Sequence, residues 1–255
     1  MAIDTIKIQS PSVTIEVVEA VKSLSSSKNR IFMRAECGEI ENVFTTSNLK
    51  GSYDANISIK TNHYKLSRKN GSSIKEPCEP YLTVECSVHK ARIGHNVSGG
   101  SSDIIECVEW LVKYISTAIG SIELPPAQKW TVRQIDTAEM FQLASFDAVE
   151  CWFKGLRLGD YYRKRPIHRY GGHGIQIGGH TTCLKFYHKG VEFRKHDRKR
   201  LAKIKIPLTK LEQIQSLADK TLRVEVSIKS QKLDYDFGHR PQVAETSTSV
   251  HHLST

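Results

Sequence analysis

Apolar and polar residues alternate with period two over Ile3–Ile8, Ala55–Lys60, Tyr81–Val88, Trp130–Thr137, Thr181–Tyr187 and Leu222–Lys229, and this pattern predicts six strands. Four other stretches carry the helical period: Thr14–Leu24, Asp103–Ile119, Phe146–Leu158 and Thr209–Lys220. The second is the clearest, with Ile104, Val108, Leu111, Val112 and Ile115 on one face. Asp103 with Glu106, and Thr209 with Glu212 after Pro207, have the spacing of capping boxes. Lys69–Pro80 and the glycine-rich Tyr170–Gly179 read as loops, and Leu124-Pro125-Pro126 as the stop after the long helix. Together these elements predict an α+β fold, a central and mostly antiparallel sheet with helices packed on it. One domain is expected over 1–237. Residues 238–255 are polar, rich in Ser and Thr and without periodicity, which predicts a disordered tail.

Charge changes this picture. The formal net charge is +10, and it is not evenly spread. Residues 154–205 hold fifteen Lys or Arg against three Asp or Glu, whereas the rest of the chain holds 22 against 24. The candidate DNA-binding residues are therefore Arg163, Lys164, Arg165, Lys185, Arg194, Lys195, Arg198, Lys199 and Arg200. Among them lie Trp152, Phe153, Tyr161, Tyr162, Tyr170, Phe186, Tyr187 and Phe193. Cations neutralise phosphates and aromatic rings stack unpaired bases, so the segment predicts a nucleic-acid surface. The alternative is a solvated helix face with core aromatics. No stretch approaches the roughly 20 apolar residues of a membrane helix, and no secretory signal opens the chain. The six cysteines are scattered without a C-x-x-C pair, which argues against a zinc site and for reduced thiols in the cytoplasm.

Three predicted strands each place a carboxylate between apolar neighbours: Glu85, Asp136 and Glu225. Mid-strand carboxylates are disfavoured, and convergence around Mg²⁺ or Mn²⁺ would explain them. Pairing with Arg133, Arg223 or Lys229 would explain them equally well. His95, in the turn Gly94-His95-Asn96-Val97, could add an imidazole, with His173 and His180 weaker candidates. The preferred ligand set is His95, Asp136 and Glu225, with Glu85 in reserve. In extended geometry Lys185, Tyr187 and Lys189 point the same way. Two ammonium groups beside a phenol would favour the phenolate and neutralise a phosphate under attack. By this chemistry alone, Tyr161 and Tyr162 are equal candidates.

Five segments, in order, resemble the gene II/X family of phage and plasmid replication initiators: Ile3-Asp4-Thr5-Ile6 with Ser10-Pro11, Val84-Glu85 through Gly94-His95-Asn96-Val97, Arg133-Gln134-Ile135-Asp136, Phe186-Tyr187-His188-Lys189-Gly190-Val191-Glu192, and Leu222-Arg223-Val224-Glu225. The resemblance implies a Rep-type nicking endonuclease and strand transferase acting in the bacterial host cytoplasm. It implies Tyr187 as nucleophile with Lys189 beside it, a 5′-phosphotyrosine intermediate, a Mg²⁺ requirement, origin DNA as substrate, and host helicase and polymerase as partners in rolling-circle replication. Two departures are visible: His188 stands where the family commonly has an acidic residue, and the family usually continues into a second domain after Leu222-Arg223-Val224-Glu225. The alternative expectation is a non-catalytic origin-binding regulator, a truncated initiator. A basic RNA-binding protein would need neither a single essential tyrosine nor a metal.

Overall fold

A computed structural model describes residues 1–24, 27–33, 40–69, 72–156 and 167–249. In chain order these form β1 (Ala2–Ser12), α1 (Ile15–Ser23), β2 (Lys28–Met33), β3 (Ile40–Lys50), β4 (Asn56–Lys69), β5 (Ser72–Ser87), α2 (Val88–Ile93), α3 (Ile104–Ala118), β6 (Thr131–Gln142), α4 (Phe146–Gly155), β7 (Ile167–Arg169), β8 (Gly174–Gly178), β9 (Thr182–His188), α5 (Lys189–Lys195), α6 (Asp197–Lys203), α7 (Leu208–Asp219), β10 (Thr221–Lys229), α8 (Ser230–Phe237) and α9 (Val243–Ser249). The strands make one sheet in the order β2-β3-β4-β5-β1-β6-β10-β9-β8-β7. Every pairing between described strands is antiparallel, so the fold is the expected α+β.

Alternation decides where the core sits. Ile6, Ile8, Ile57, Ile59, Leu82, Val84 and Val132 point to one face, where α1 and α3 cover them with Val18, Val21, Val108, Leu111 and Ile115. Farther along, α4 lays Val149 and Phe153 against Ile175, Ile177 and Leu222. A separate cluster of Phe193, Leu201, Leu211 and Ala218 joins α5, α6 and α7 to Val97. The register puts Lys7 opposite Glu85, Asp136 opposite Ser227, Glu225 opposite Lys185 and Arg223 opposite Tyr187. The polar residues of the central strands therefore share one face of the sheet.

Several expectations need correction. Lys69–Pro80 is not a loop: β5 begins at Ser72 and pairs through Tyr64↔Pro77. Within Tyr170–Gly179 the chain forms β8, whose Ile175 and Ile177 are buried while Gly174 backs onto Tyr187. The long helix ends at Ala118, before the two prolines, with Gly120 in the left-handed region (φ 92°). Asp103 caps α3 by accepting from Ile105 N and Glu106 N, but Glu106 accepts from Ser101 Oγ and does not close the box. α7 starts a residue early, at Leu208 after Pro207, and Thr209 makes no cap. The tail beyond Gly238 is ordered as far as Ser249. Val132 N donates to Pro241 O (2.9 Å), Val243 N donates to Trp130 O (2.8 Å), and Val243 is fully buried. Val243, the buried Pro241 and Thr246, and these two backbone bonds dock a segment whose composition reads as coil.

Candidate active site

β9 ends at His188, where the chain turns into α5. Lys189 therefore leaves the strand alternation that would have aimed it with Lys185 and Tyr187. The Tyr187 hydroxyl donates to Glu225 Oε1 at 2.5 Å. Arg223 Nε donates to the same oxygen at 2.9 Å, and Lys185 Nζ lies 3.5 Å from Oε2. Arg223 is fully buried; its other nitrogens reach Asn96 O (2.6 Å) and Asp4 Oδ1 (2.7 Å). Asn96 Nδ2 donates to Asp4 Oδ1 (2.6 Å), and its Oδ1 accepts from Lys189 Nζ (2.6 Å). Lys189, also fully buried, donates to Glu192. Lys90 Nζ then joins Glu192 (3.5 Å) to Asp197 (3.1 Å). A continuous buried network thus runs from β1 through β10 to α2, α5 and α6.

This setting reverses the expected polarity at Tyr187. Burial, reinforced by the Glu225, Glu192 and Asp4 carboxylates, raises the phenol well above its ordinary range, against the pull of Arg223. Burial lowers Lys189, helped by Lys90 and Arg223 and opposed by Glu192. The phenol is therefore held protonated, with its proton directed at a carboxylate. Burial would raise Asp4 too, but Arg223 and the Asn96 hydrogen bond prevail and lower it.

The preferred metal ligands do not converge. Asp136 and Glu225 stand on neighbouring strands of the polar face, close enough for burial and Glu225 together to raise Asp136. Gln134 Nε2 donates to Asp136 at 2.8 Å. His95 lies in the turn after α2, beside His89 and Asp197, and burial pushes it down to about 4. Its Nδ1 accepts from Val97 N (3.4 Å). Glu85 is spent on Lys7 (3.0 Å). Among the described residues no three His, Cys, Asp or Glu side chains gather as a metal site, so these donors do not fit the expected ion. His173 pairs with Glu150 (2.5 Å), away from that face.

The basic residues divide similarly. Arg163, Lys164 and Arg165, with Tyr161 and Tyr162, lie outside the described residues. Arg194 grips Asp219 with two bonds (2.6 and 2.7 Å) and lies over Phe146, and Arg200 bonds the backbone oxygens of Tyr53 and Gly94. Arg198 reaches towards Gln215 (3.5 Å). Lys195 and Lys199 are exposed to solvent. Sequence reasoning missed Asp4, Lys90, Glu192 and Asp197, and it had counted Arg223 only as a partner for a carboxylate. Asp4, Lys90, Asn96, Glu192 and Arg223 did sit inside the quoted motifs, which was the available signal.

The model of the Phage_CRI family, the N-terminal region of a phage replication-associated protein, matches residues 6–242. The chain belongs to this family. Membership gives it a role in the initiation of replication, and the matched stretch contains every network residue named above except Asp4. A rolling-circle replication initiator from Geobacillus stearothermophilus is similar at 12% identity, over 96% of this chain and 78% of that one, with a TM-score of 0.36. The di-domain ARO/CYC protein BexL from the BE-7585A biosynthetic pathway aligns at 9% identity, over 100% and 95% of the two chains, with a TM-score of 0.21. Both scores are too low to bear on mechanism. No curated protein matches the chain. Among the described residues no helix is long and apolar enough to cross a membrane.

Proposed function

We propose that the chain nicks and rejoins one strand of origin DNA through Tyr187. The Tyr187 oxygen attacks a backbone phosphorus while Glu225 Oε1 takes the phenol proton. The P–O3′ bond breaks, the departing 3′ oxygen takes a proton from solvent water, and the 5′ phosphate stays on the tyrosine. The reverse reaction rejoins the strand. Arg223 holds Glu225 in position, and Lys185, 3.5 Å from Glu225 Oε2 and partly exposed, supplies a cation beside the pair. Lys189, turned towards Asn96 and Glu192, acts as a positioning residue. The observation that carries this reading is the 2.5 Å hydrogen bond from Tyr187 to Glu225, which pairs a nucleophile with a base at transfer distance.

Family membership also brings the expectation of a divalent metal, and of helicase and polymerase acting on the freed 3′ end. A non-catalytic origin-binding regulator is the second reading. It is favoured by a Tyr187 that is half-buried and bound to a carboxylate.

The test is covalent attachment. Labelled origin DNA is incubated with protein in Mg²⁺, in Mn²⁺ and in EDTA, then denatured. An adduct in the wild type that disappears in Tyr187→Phe supports the nicking reading. Binding without adduct in every condition leaves the regulator. An adduct that persists in Tyr187→Phe moves the nucleophile elsewhere, with Tyr161 and Tyr162 next.

A further inference from the structure

Among the described aromatic residues of the basic segment only Tyr170, at 60%, is largely exposed. Phe193 and Phe153 are buried, and Trp152 and Phe186 pack against the α4 cluster. The ring that does stand beside α6 comes from far away in sequence. Tyr53, in the short turn Ser52–Asp54 between β3 and β4, is 37% exposed. Tyr53 and Asp54 both hold left-handed backbone, at φ 55° and 61°. A bulky side chain rarely adopts this conformation, and it persists only where surrounding structure enforces it.

The enforcement is visible. Arg200 donates from one guanidinium nitrogen to Tyr53 O and from another to Gly94 O. Asp197, itself buried, holds that guanidinium at 3.1 Å. Gly94 (φ 87°) leaves room for the ring, since a Cβ there would lie 2.7 Å from Tyr53 Cβ and Cγ. Such strain clusters where a side chain must be presented. The neighbouring segments indicate its partner. Lys203 follows Arg200 by three residues, so it shares its side of α6, and Ile204 caps the end of that helix. Ile204 and Ile93 are both more than a third exposed. Asp54 is offset by Lys50 at 3.6 Å.

We propose that Tyr53 is a stacking platform for an unpaired nucleobase, with Lys203 neutralising the adjacent phosphate, so that α6 and the β3–β4 turn form a single-strand DNA contact. The inference rests on the DNA-processing reading above and adds a recognition residue to it. An exposed ring in a cationic, partly apolar surround accepts any base face. A duplex keeps its bases stacked inside and offers the ring nothing equivalent.

The test is fluorescence anisotropy with a labelled single-stranded dT 20-mer and a labelled duplex of equal length. Tyr53→Ala should weaken single-strand binding about five- to hundredfold, the range of one lost stacking contact, and leave duplex binding within twofold. Tyr53→Phe should bind like wild type. Tyr53→Trp should bind as tightly or more so, a result that misfolding cannot mimic. Lys203→Ala should reduce the salt slope by roughly 0.7, the value for one phosphate contact on a single strand, while Tyr53→Ala should leave the slope unchanged. Equal affinity of Tyr53→Ala and wild type overturns the proposal. So does an equal loss in Tyr53→Phe, or an equal loss on duplex. If wild type forms a Tyr187 adduct while Tyr53→Ala binds the dT oligonucleotide normally, only this inference fails. If wild type binds neither DNA, the DNA-processing reading fails with it.

Discussion

At the scale of single residues, Glu225 carries the most. Its Oε1 accepts both the Tyr187 hydroxyl and Arg223 Nε. Glu225→Gln keeps the shape and removes the base, so adduct formation should slow by about 10²–10⁴-fold, the usual share of general-base catalysis. The deficit should shrink as pH rises, because phenolate then forms without help. It should shrink sooner than in a variant that retained the carboxylate, since Glu225 is one of the charges raising Tyr187. A loss that stays constant to high pH would assign Glu225 a structural role instead. Arg223 is tested separately. Arg223→Met strands Asp4 and Glu225 in a buried site and should cost about 3–5 kcal/mol in a denaturant melt. A cost below about 1 kcal/mol would mean the network holds without its guanidinium.

Among the elements, legibility followed local chemistry. All six predicted strands and all four predicted helices exist, because each buries an alternating or helical stripe. β8 was hidden because it begins and ends on glycines, Gly174 and Gly178, which read as loop although Ile175 and Ile177 carry the alternation. Lys189 was misplaced for a related reason: periodicity shows a face but not the residue at which a strand turns into a helix. The Tyr187–Glu225 pair was half legible, since both residues were named, but their contact depends on the β9–β10 register. α9 was not legible, because only Val243 marks it. Ending the chain at Phe237 is therefore informative. It removes a buried valine, worth about 1.5–3 kcal/mol, and two backbone hydrogen bonds to the β6 region, worth about 1 kcal/mol each. The melting temperature should fall by roughly 7–20 °C. No change would return this segment to a dispensable tail.

For the molecule as a whole, its buried histidines set the response to acid. Burial lowers His89 and His188 and pushes His95 down to about 4. His188 is the most enclosed. It stacks on Phe146 at 4.2 Å and its Nδ1 accepts from Gly190 N, with Asp219, Glu150, His173 and Arg194 as the charged or titratable groups around it. A base whose folded pKa is depressed binds fewer protons when native than when unfolded. Its contribution is complete above the unfolded value near 6.5 and is lost as pH falls from there towards the folded value. Asp4 and Asp197 are lowered in the native state, so their contribution is present above about pH 4 and is lost below it. Stability from urea melts should therefore be flat between pH 7 and 8. It should decline from about pH 6.5, each histidine adding at most about 1.4 kcal/mol per pH unit, and less for the half-buried His89 and His95. His188→Asn keeps an acceptor for Gly190 N and should make the decline shallower between pH 6.5 and 5. A curve that stays flat to pH 5 in the wild type would mean that these imidazoles take up protons in place, and that the buried network tolerates the added charge.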